Sequence, residues 1–256
     1  MEKRRSGRVF IFLFLFFTAI VSGSMGIISC NKGGMCFSNS GNVIMQERPV
    51  MPFDSIDLGD NVNLILTQDT VDRITVEAGN RIVSGITTEI HNRQLYIRNL
   101  NTCNWLRSYD KPLNVHVSVS RLWKIYYNSS GNITSTNTLT GDSVKVEIWG
   151  GCGSVDLALK YTRGWFVMNM GTADYNLHGV CAIANFYMND MGFIQAKDLA
   201  TRYCSVTNRG SNDCYVNVSV SLYAVIENIG SVYYTGNPAS VAGKITGSGV
   251  LEPFNP

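Results

Sequence analysis

Glycine recurs through the second half of the chain at Gly131, Gly151, Gly171, Gly192, Gly210 and Gly230, with intervals of 20, 20, 21, 18 and 20 residues. Asparagine keeps nearly the same beat just ahead of it, at Asn128, Asn169, Asn189, Asn208 and Asn228. A near-regular period of this size marks an architecture built by stacking one supersecondary unit on the next. Between the glycines each unit holds two short apolar-alternating runs separated by a break. One unit is Gly151 to Leu159, a break at 161–164, then Trp165 to Met170; the next starts at Gly171 and breaks at His178-Gly179. About 20 residues at roughly 3.3 Å per residue are too few for a long hairpin and enough for one circuit of a parallel β-solenoid. The competing fold, a β-sandwich with evenly spaced turns, does not require so regular a period.

The asparagines gain a physical role in that fold. Asn tolerates the left-handed conformation that tight turns need, and stacked amides bond along the stack. Asn169, Asn208 and Asn228 each precede a glycine by two residues, so they are expected at equivalent corners of successive coils. Ahead of the repeat, period-two alternation at Ile56/Leu58, Val62/Leu64/Leu66, Ile74/Val76, Leu95/Ile97 and Val115/Val117/Val119 predicts half-buried strands. Residues 100–111 are expected as a loop insertion, and no long amphipathic helix is predicted.

The N-terminus reads as an address. Lys3, Arg4, Arg5 and Arg8 precede an apolar run from Val9 to Val21, and the segment ends Ile27-Ile28-Ser29-Cys30. This is the layout of a secretory signal, and the run is short of the roughly 20 residues a membrane-spanning helix needs. The ending resembles a bacterial lipobox, which implies cleavage after Ser29 and lipidation of Cys30, the predicted link to the membrane. The expected division is therefore 1–29 signal, 30–50 flexible tether with Gly33-Gly34 and Ser38 to Gly41, and 51–256 one folded domain.

The formal net charge is only +2, and four of the 21 basic residues lie in the signal. No Lys/Arg block remains, so a nucleic-acid partner is not expected. Seven cysteines are present, without a Cys-x-x-Cys pair or a Cys/His cluster, so no metal or other cofactor is predicted. Cys181 and Cys204 sit in apolar runs and are expected as buried thiols.

Catalysis on a solenoid would require gathered carboxylates, as acid and base or as calcium ligands. Asp156, Asp174, Asp190, Asp198 and Asp213 fall at different places in their coils, and each is expected as a surface carboxylate. His91, His116 and His178 show no nucleophilic arrangement, so no catalytic residue is assigned. The aromatics Tyr126, Tyr127, Trp149, Tyr161, Trp165, Tyr187, Tyr233 and Tyr234 either form an outer surface for sugar or protein or fill the core, and alternation turns part of them inward.

Phe53-Asp-Ser-Ile-Asp-Leu, Val62-Asn-Leu-Ile-Leu-Thr-Gln, Ile74-Thr-Val-Glu-Ala and Leu95-Tyr-Ile-Arg, followed by glycine-led coils to Gly247-Ser-Gly, resemble the auto-transporter adhesin head GIN domain family over about residues 51–252. The resemblance implies a right-handed parallel β-helix and an outer-membrane lipoprotein of the cell envelope, and it supplies no catalytic residues. Asn31-Lys32-Gly33-Gly34 stand where surface-exported relatives often carry acidic residues, which leaves both the periplasmic and the surface side open. The function expected is adhesion or scaffolding through a solenoid surface, with a glycan or an envelope protein as partner. The alternative is a glycan-binding module or a polysaccharide-degrading enzyme.

Overall fold

A computed structural model describes residues 40–102 and 111–254. Cys30, Cys36, Cys103, the signal and most of the expected loop insertion lie outside these residues. The chain forms β1 (Val43–Arg48), β2 (Ser55–Asp60), β3 (Asn63–Gln68), β4 (Arg73–Gly79), β5 (Ile86–His91), β6 (Gln94–Asn99), β7 (Asn114–Val119), β8 (Lys124–Ser129) and β9 (Ile133–Ser135). The longer β10 (Leu139–Gly151), β11 (Ser154–Gly171), β12 (Asp174–Met188), β13 (Ile194–Asn208) and β14 (Cys214–Ile226) follow. The shorter β15 (Val232–Thr235), β16 (Ser240–Ile245) and β17 (Leu251–Pro253) come last. The one helical element among the described residues is a single 3-10 turn, Val83–Gly85.

The strands stack as a parallel β-solenoid of about six turns. Each long strand starts on one face, bends, and ends on another. The ends of β10 to β14 stack with β8, β2 and β6 below and β16 above, giving a trailing face. The starts of β11 to β14 stack with β9, β3 and β7 below and β15 and β17 above, giving a leading face. Register carries one residue to its counterpart about a period later, as in Ile148, Met168, Met188, Asn208, Ile226 and Ile245.

Alternation decides what lies inside. Ile125, Val146, Phe166, Phe186, Val206 and Ala224 form one fully or nearly fully buried column. Phe166 stacks on Phe186 at 5.2 Å and meets Tyr175 edge-on at 5.9 Å. The buried phenols find partners, as a buried O–H must: Tyr127 donates to Gly131 O (2.6 Å), Tyr161 to Leu122 O (3.1 Å) and Tyr175 to Val146 O (2.9 Å). Cys181, Cys204 and Cys214 are buried free thiols and Cys152 an exposed one. Burial pushes the Cys181 thiol up to about 11 and the other two higher, so all three stay protonated and act as small hydrophobes.

The glycine beat comes from two neighbouring rows at one corner. Gly131, Gly153, Gly192, Gly230 and Gly249 each lie two residues before an inward residue of the leading face (Ile133, Val155, Ile194, Val232 and its counterpart Leu251); Gly151 and Gly171 end trailing strands and Gly210 follows one by two residues. In both rows a Cβ would strike the coil below: at Gly192 it would sit 2.1 Å from Ala173 O, and at Gly171, where φ is +127°, 2.3 Å from Gly151 O. The corner packs backbone against backbone, and this requirement produces the sequence period.

The expected equivalence of Asn169, Asn208 and Asn228 does not hold, although all three belong to this corner. Asn208 takes an inward position in the column of Met188 and Ile226 and is fully buried. It donates to Asn212 O (3.0 Å) and Ser231 O (3.3 Å) and accepts from Gly210 N (2.9 Å). Asn189 and Asn228 point outward, and each donates to a carbonyl of the preceding coil, Asn169 O (3.1 Å) and Arg209 O (3.0 Å).

A different row carries a ladder of side-chain acceptors, interrupted at Ser154 and Phe193, one residue before the buried residue that opens each leading run. Asn63 Oδ1 accepts from Asn132 N (2.8 Å) and Asn132 Oδ1 from Ser154 N (3.0 Å). Asp174 accepts from Phe193 N (2.8 Å), Asp213 from Ser231 N (2.8 Å) and Ser231 Oγ from Val250 N (3.1 Å). Each side chain satisfies an N–H that the turn leaves without a sheet partner.

The N-terminal end is built differently. β1 pairs antiparallel with β4, β4 antiparallel with β7, and β5 antiparallel with β6. β1 corrects the expected tether, whose later part is a strand. Val43 to Glu47 are all exposed, so the segment lacks the buried face that produces alternation. Arg48 ties it down by donating to Val83 O (2.7 Å) and Ile86 O (3.1 Å).

Candidate functional site

The outward residues of the trailing face form the most distinctive surface of the described chain. Tyr126 on β8, Trp149 on β10, Trp165 on β11, Tyr187 on β12, Tyr203 on β13 and Tyr223 on β14 place one outward aromatic on each of six successive strands. Trp149, Tyr203 and Tyr223 are 41%, 44% and 48% exposed, unusual values for residues this large. At about 4.8 Å per strand the rings extend roughly 24 Å along the stack, in a band of several rows: Tyr126 and Tyr187 share one register row, Trp165 and Tyr223 the next, and Trp149 and Tyr203 lie to either side. Alternation puts these rings outside, because each neighbours an inward residue: Ile125, Ile148, Phe166, Phe186, Cys204 and Leu222 are all buried.

Charged side chains hold the stripe. Tyr126 lies against Trp149 with ring centroids 6.4 Å apart. Glu147, in register with Tyr126, accepts from Lys124 (2.6 Å) and Lys145 (2.5 Å). Burial alone would raise the Glu147 carboxyl, but the two lysines outweigh it and hold it below the usual range. Arg209 sits 5.7 Å from the Tyr187 ring and bonds Glu227 (2.7 Å), and Arg202 sits 5.8 Å from the Tyr203 ring. Below the stripe, an open cleft of about 470 Å³ is lined by Arg121, Trp123, Thr140 and Asp142, with Trp123 42% exposed.

The remaining residues singled out from the sequence are scattered. Tyr127 and Tyr161 point inward, whereas Tyr233 stacks on Tyr215 on the leading face at 5.2 Å. Asp174, Asp190 and Asp213 are structural, each accepting a main-chain N–H of a neighbouring coil. Asp156 lies 3.7 Å from His178, which is in register with Asp198; all three are on the surface. His116 points outward as alternation predicts and bonds Glu77 at 2.9 Å. That bond, with a second from Asn114, holds the Glu77 carboxyl below its usual value. Among the described residues, no three of His, Cys, Asp and Glu gather in a way that could hold a metal ion. Tyr203, Tyr223 and Trp123 were not among the aromatics picked out from the sequence; the signal that marks the first two is the buried residue immediately after each.

Comparison with solved structures finds the same fold in several proteins, three of which illustrate it. A putative adhesin from Bacteroides fragilis matches with a TM-score of 0.77 at 23% identity, over 83% of this chain and 97% of that one. A putative adhesin from Parabacteroides distasonis matches at 0.61 and 18%, over 84% and 98%. A putative lipid binding protein from the same species matches at 0.61 and 15%, over 85% and 98%. No curated protein matches the sequence. The family model described as "Putative auto-transporter adhesin, head GIN domain" matches residues 52–238, which take in both faces of the solenoid and most of its turns. On that match the chain belongs to the auto-transporter adhesin head GIN domain family.

Proposed function

We propose that this protein is a non-enzymatic adhesin of the cell envelope that recognises a glycan through the trailing face. The observation that carries this reading is the aromatic on each of six successive strands, interleaved with Lys124, Lys145, Glu147, Arg209 and Glu227. Flat rings accept the apolar C–H faces of sugar rings, and neighbouring charges and amides bond the hydroxyls. A band of such platforms along the stack suits an extended chain better than a compact small molecule. Tyr and Trp are also the side chains that combine a large apolar body with a polar tip.

Attachment through lipid on Cys30 completes the reading: a basic and apolar leader, the Ile-Ile-Ser-Cys ending and a Gly/Ser-rich spacer support an outer-membrane lipoprotein. Fatty-acid labelling that persists in Cys30→Ala would refute the anchor. The binding reading is tested by presenting the purified protein to a glycan array and to soluble polysaccharides. Binding without release of oligosaccharide is the expected result. Release of oligosaccharide would instead identify an enzyme, and silence on every glycan would remove the ligand class.

A further inference from the structure

We propose that the C-terminal end of the solenoid docks a second copy of this chain, tail to tail, about a twofold axis through the turn at residues 246–250. This inference is independent of the aromatic stripe. It starts from the contrast between the two ends of the stack. At the N-terminal end Ile82, Val83, Ile86 and Ile90 are only 1–8% exposed, beneath β5 and the 3-10 turn. At the other end Val241 and Ile245 are 39% and 49% exposed, although their counterparts one coil below, Leu222 and Ile226, are fully buried. These are core positions left bare. Terminal coils of solenoids ordinarily carry a polar cap, because an open stack end presents both apolar side chains and unpaired backbone.

The backbone of that end is set up to pair. Thr246 N donates to Ile226 O and Phe254 N to Tyr234 O, so these residues face the coil below. Alternation in a parallel ladder then turns the N–H and C=O of Gly243, Ile245 and Leu251 to the free edge. Antiparallel pairing of β16 with the partner's β17, centred on Ser248, sets Ile245 opposite the partner's Leu251. Both point inward, Ile245 stacked on Ile226 and Leu251 on Val232, so the core runs on across the junction. Pro253 has no N–H for that edge and ends the pairing there.

Charge selects this arrangement. Lys244 and Glu252 are the only charged residues from 237 to 254, both are exposed, and neither forms an ion pair within the described residues. The same register sets Lys244 opposite the partner's Glu252, and the twofold axis repeats the pair. The alternative, β16 on the partner's β16, brings two lysines to one side with no carboxylate.

The test is sedimentation equilibrium of the full-length protein in detergent at low ionic strength. A reversible dimer is expected. Lys244→Glu weakens it about tenfold, the scale of losing two exposed ion pairs, and adding Glu252→Lys in the same chain restores it. Ser248→Cys, on the axis, yields a disulfide-linked dimer above the wild-type background, and Lys244→Glu lowers that yield. A monomer at every concentration, a dimer indifferent to Lys244→Glu, or a charge swap that fails to restore association would overturn the proposal.

Discussion

The trailing and leading faces share one backbone plan and differ in what they show to solvent. Inward, both present apolar columns: Val146, Phe166, Phe186 and Val206 on one, Ile133, Val155, Tyr175 and Ile194 on the other, all buried. Outward, the corresponding leading row reads Thr134, Asp156, Asn176, Gln195, Tyr215 and Tyr233, small and polar over most of its length. The trailing face instead carries an outward ring on each of β8, β10, β11, β12, β13 and β14, spread over four register rows, and braces several with ion pairs. Stacking dictates the inside and leaves the outside free. A difference confined to the outside is therefore one that the fold does not explain, which makes the trailing rings the place to look for binding.

The comparison is broken most severely from within. Asn208 is the polar member of the Met188 and Ile226 column, and its amide satisfies three groups at the corner the two faces share. Asn208→Ala takes away the amide partner of Asn212 O and Gly210 N and one of two donors to Ser231 O, which keeps Cys214 N, and is expected to cost about 1–3 kcal/mol. In denaturant unfolding its midpoint should fall well below that of the wild type. An unchanged midpoint would mean that the corner is not held by this side chain.

A smaller effect separates the faces by pH. The Glu147 carboxyl is held below its ordinary value of 4.5 by Lys124 and Lys145. A lowered pKa in the folded state means stability that is complete above the ordinary value and is lost as pH falls through the folded one. The melting temperature of the wild type should therefore decline below about pH 4.5 more than that of Glu147→Gln. Parallel declines would show that these ion pairs contribute nothing to the trailing face.

The solenoid itself was legible in the sequence because its corner demands glycine, and a steric demand repeated once per coil writes a period. The strands at Ile56, Leu64, Ile74, Leu95 and Val115 were legible because each buries one side. β1 was not, since it buries neither side, and β5 pairs antiparallel at the end of the stack, where Ile86 and Ile90 are too few to set a pattern. The placement of β7 between β4 and β3 depends on pairings across long stretches of chain, which no local pattern records. The acceptor ladder of Asn63, Asn132, Asp174, Asp213 and Ser231 was hidden by its chemistry: Asn, Asp and Ser do the same work there, so no single residue type keeps time. Asn208 kept time with the outward asparagines yet turned inward, because register sets it on Met188 and Ile226, whereas Asn189 and Asn228 follow those inward residues by one and two positions. For the candidate site, Trp149, Trp165, Tyr126 and Tyr187 were identifiable as aromatics, but only the pairing of the strands shows that they share the trailing face with Tyr203 and Tyr223.

The central claim is that recognition lies on the trailing face, and it is tested by binding measured on matched pairs of variants. Trp165→Ala with Tyr187→Ala removes two trailing platforms; Tyr215→Ala with Tyr233→Ala removes the stacked pair on the leading face. Against the glycan that binds the wild type best, the trailing pair should lose at least tenfold in affinity, about 1.4 kcal/mol, with its fold intact by circular dichroism, and the leading pair should bind as the wild type does. Retained binding in the trailing pair, or loss in the leading pair alone, would contradict the account.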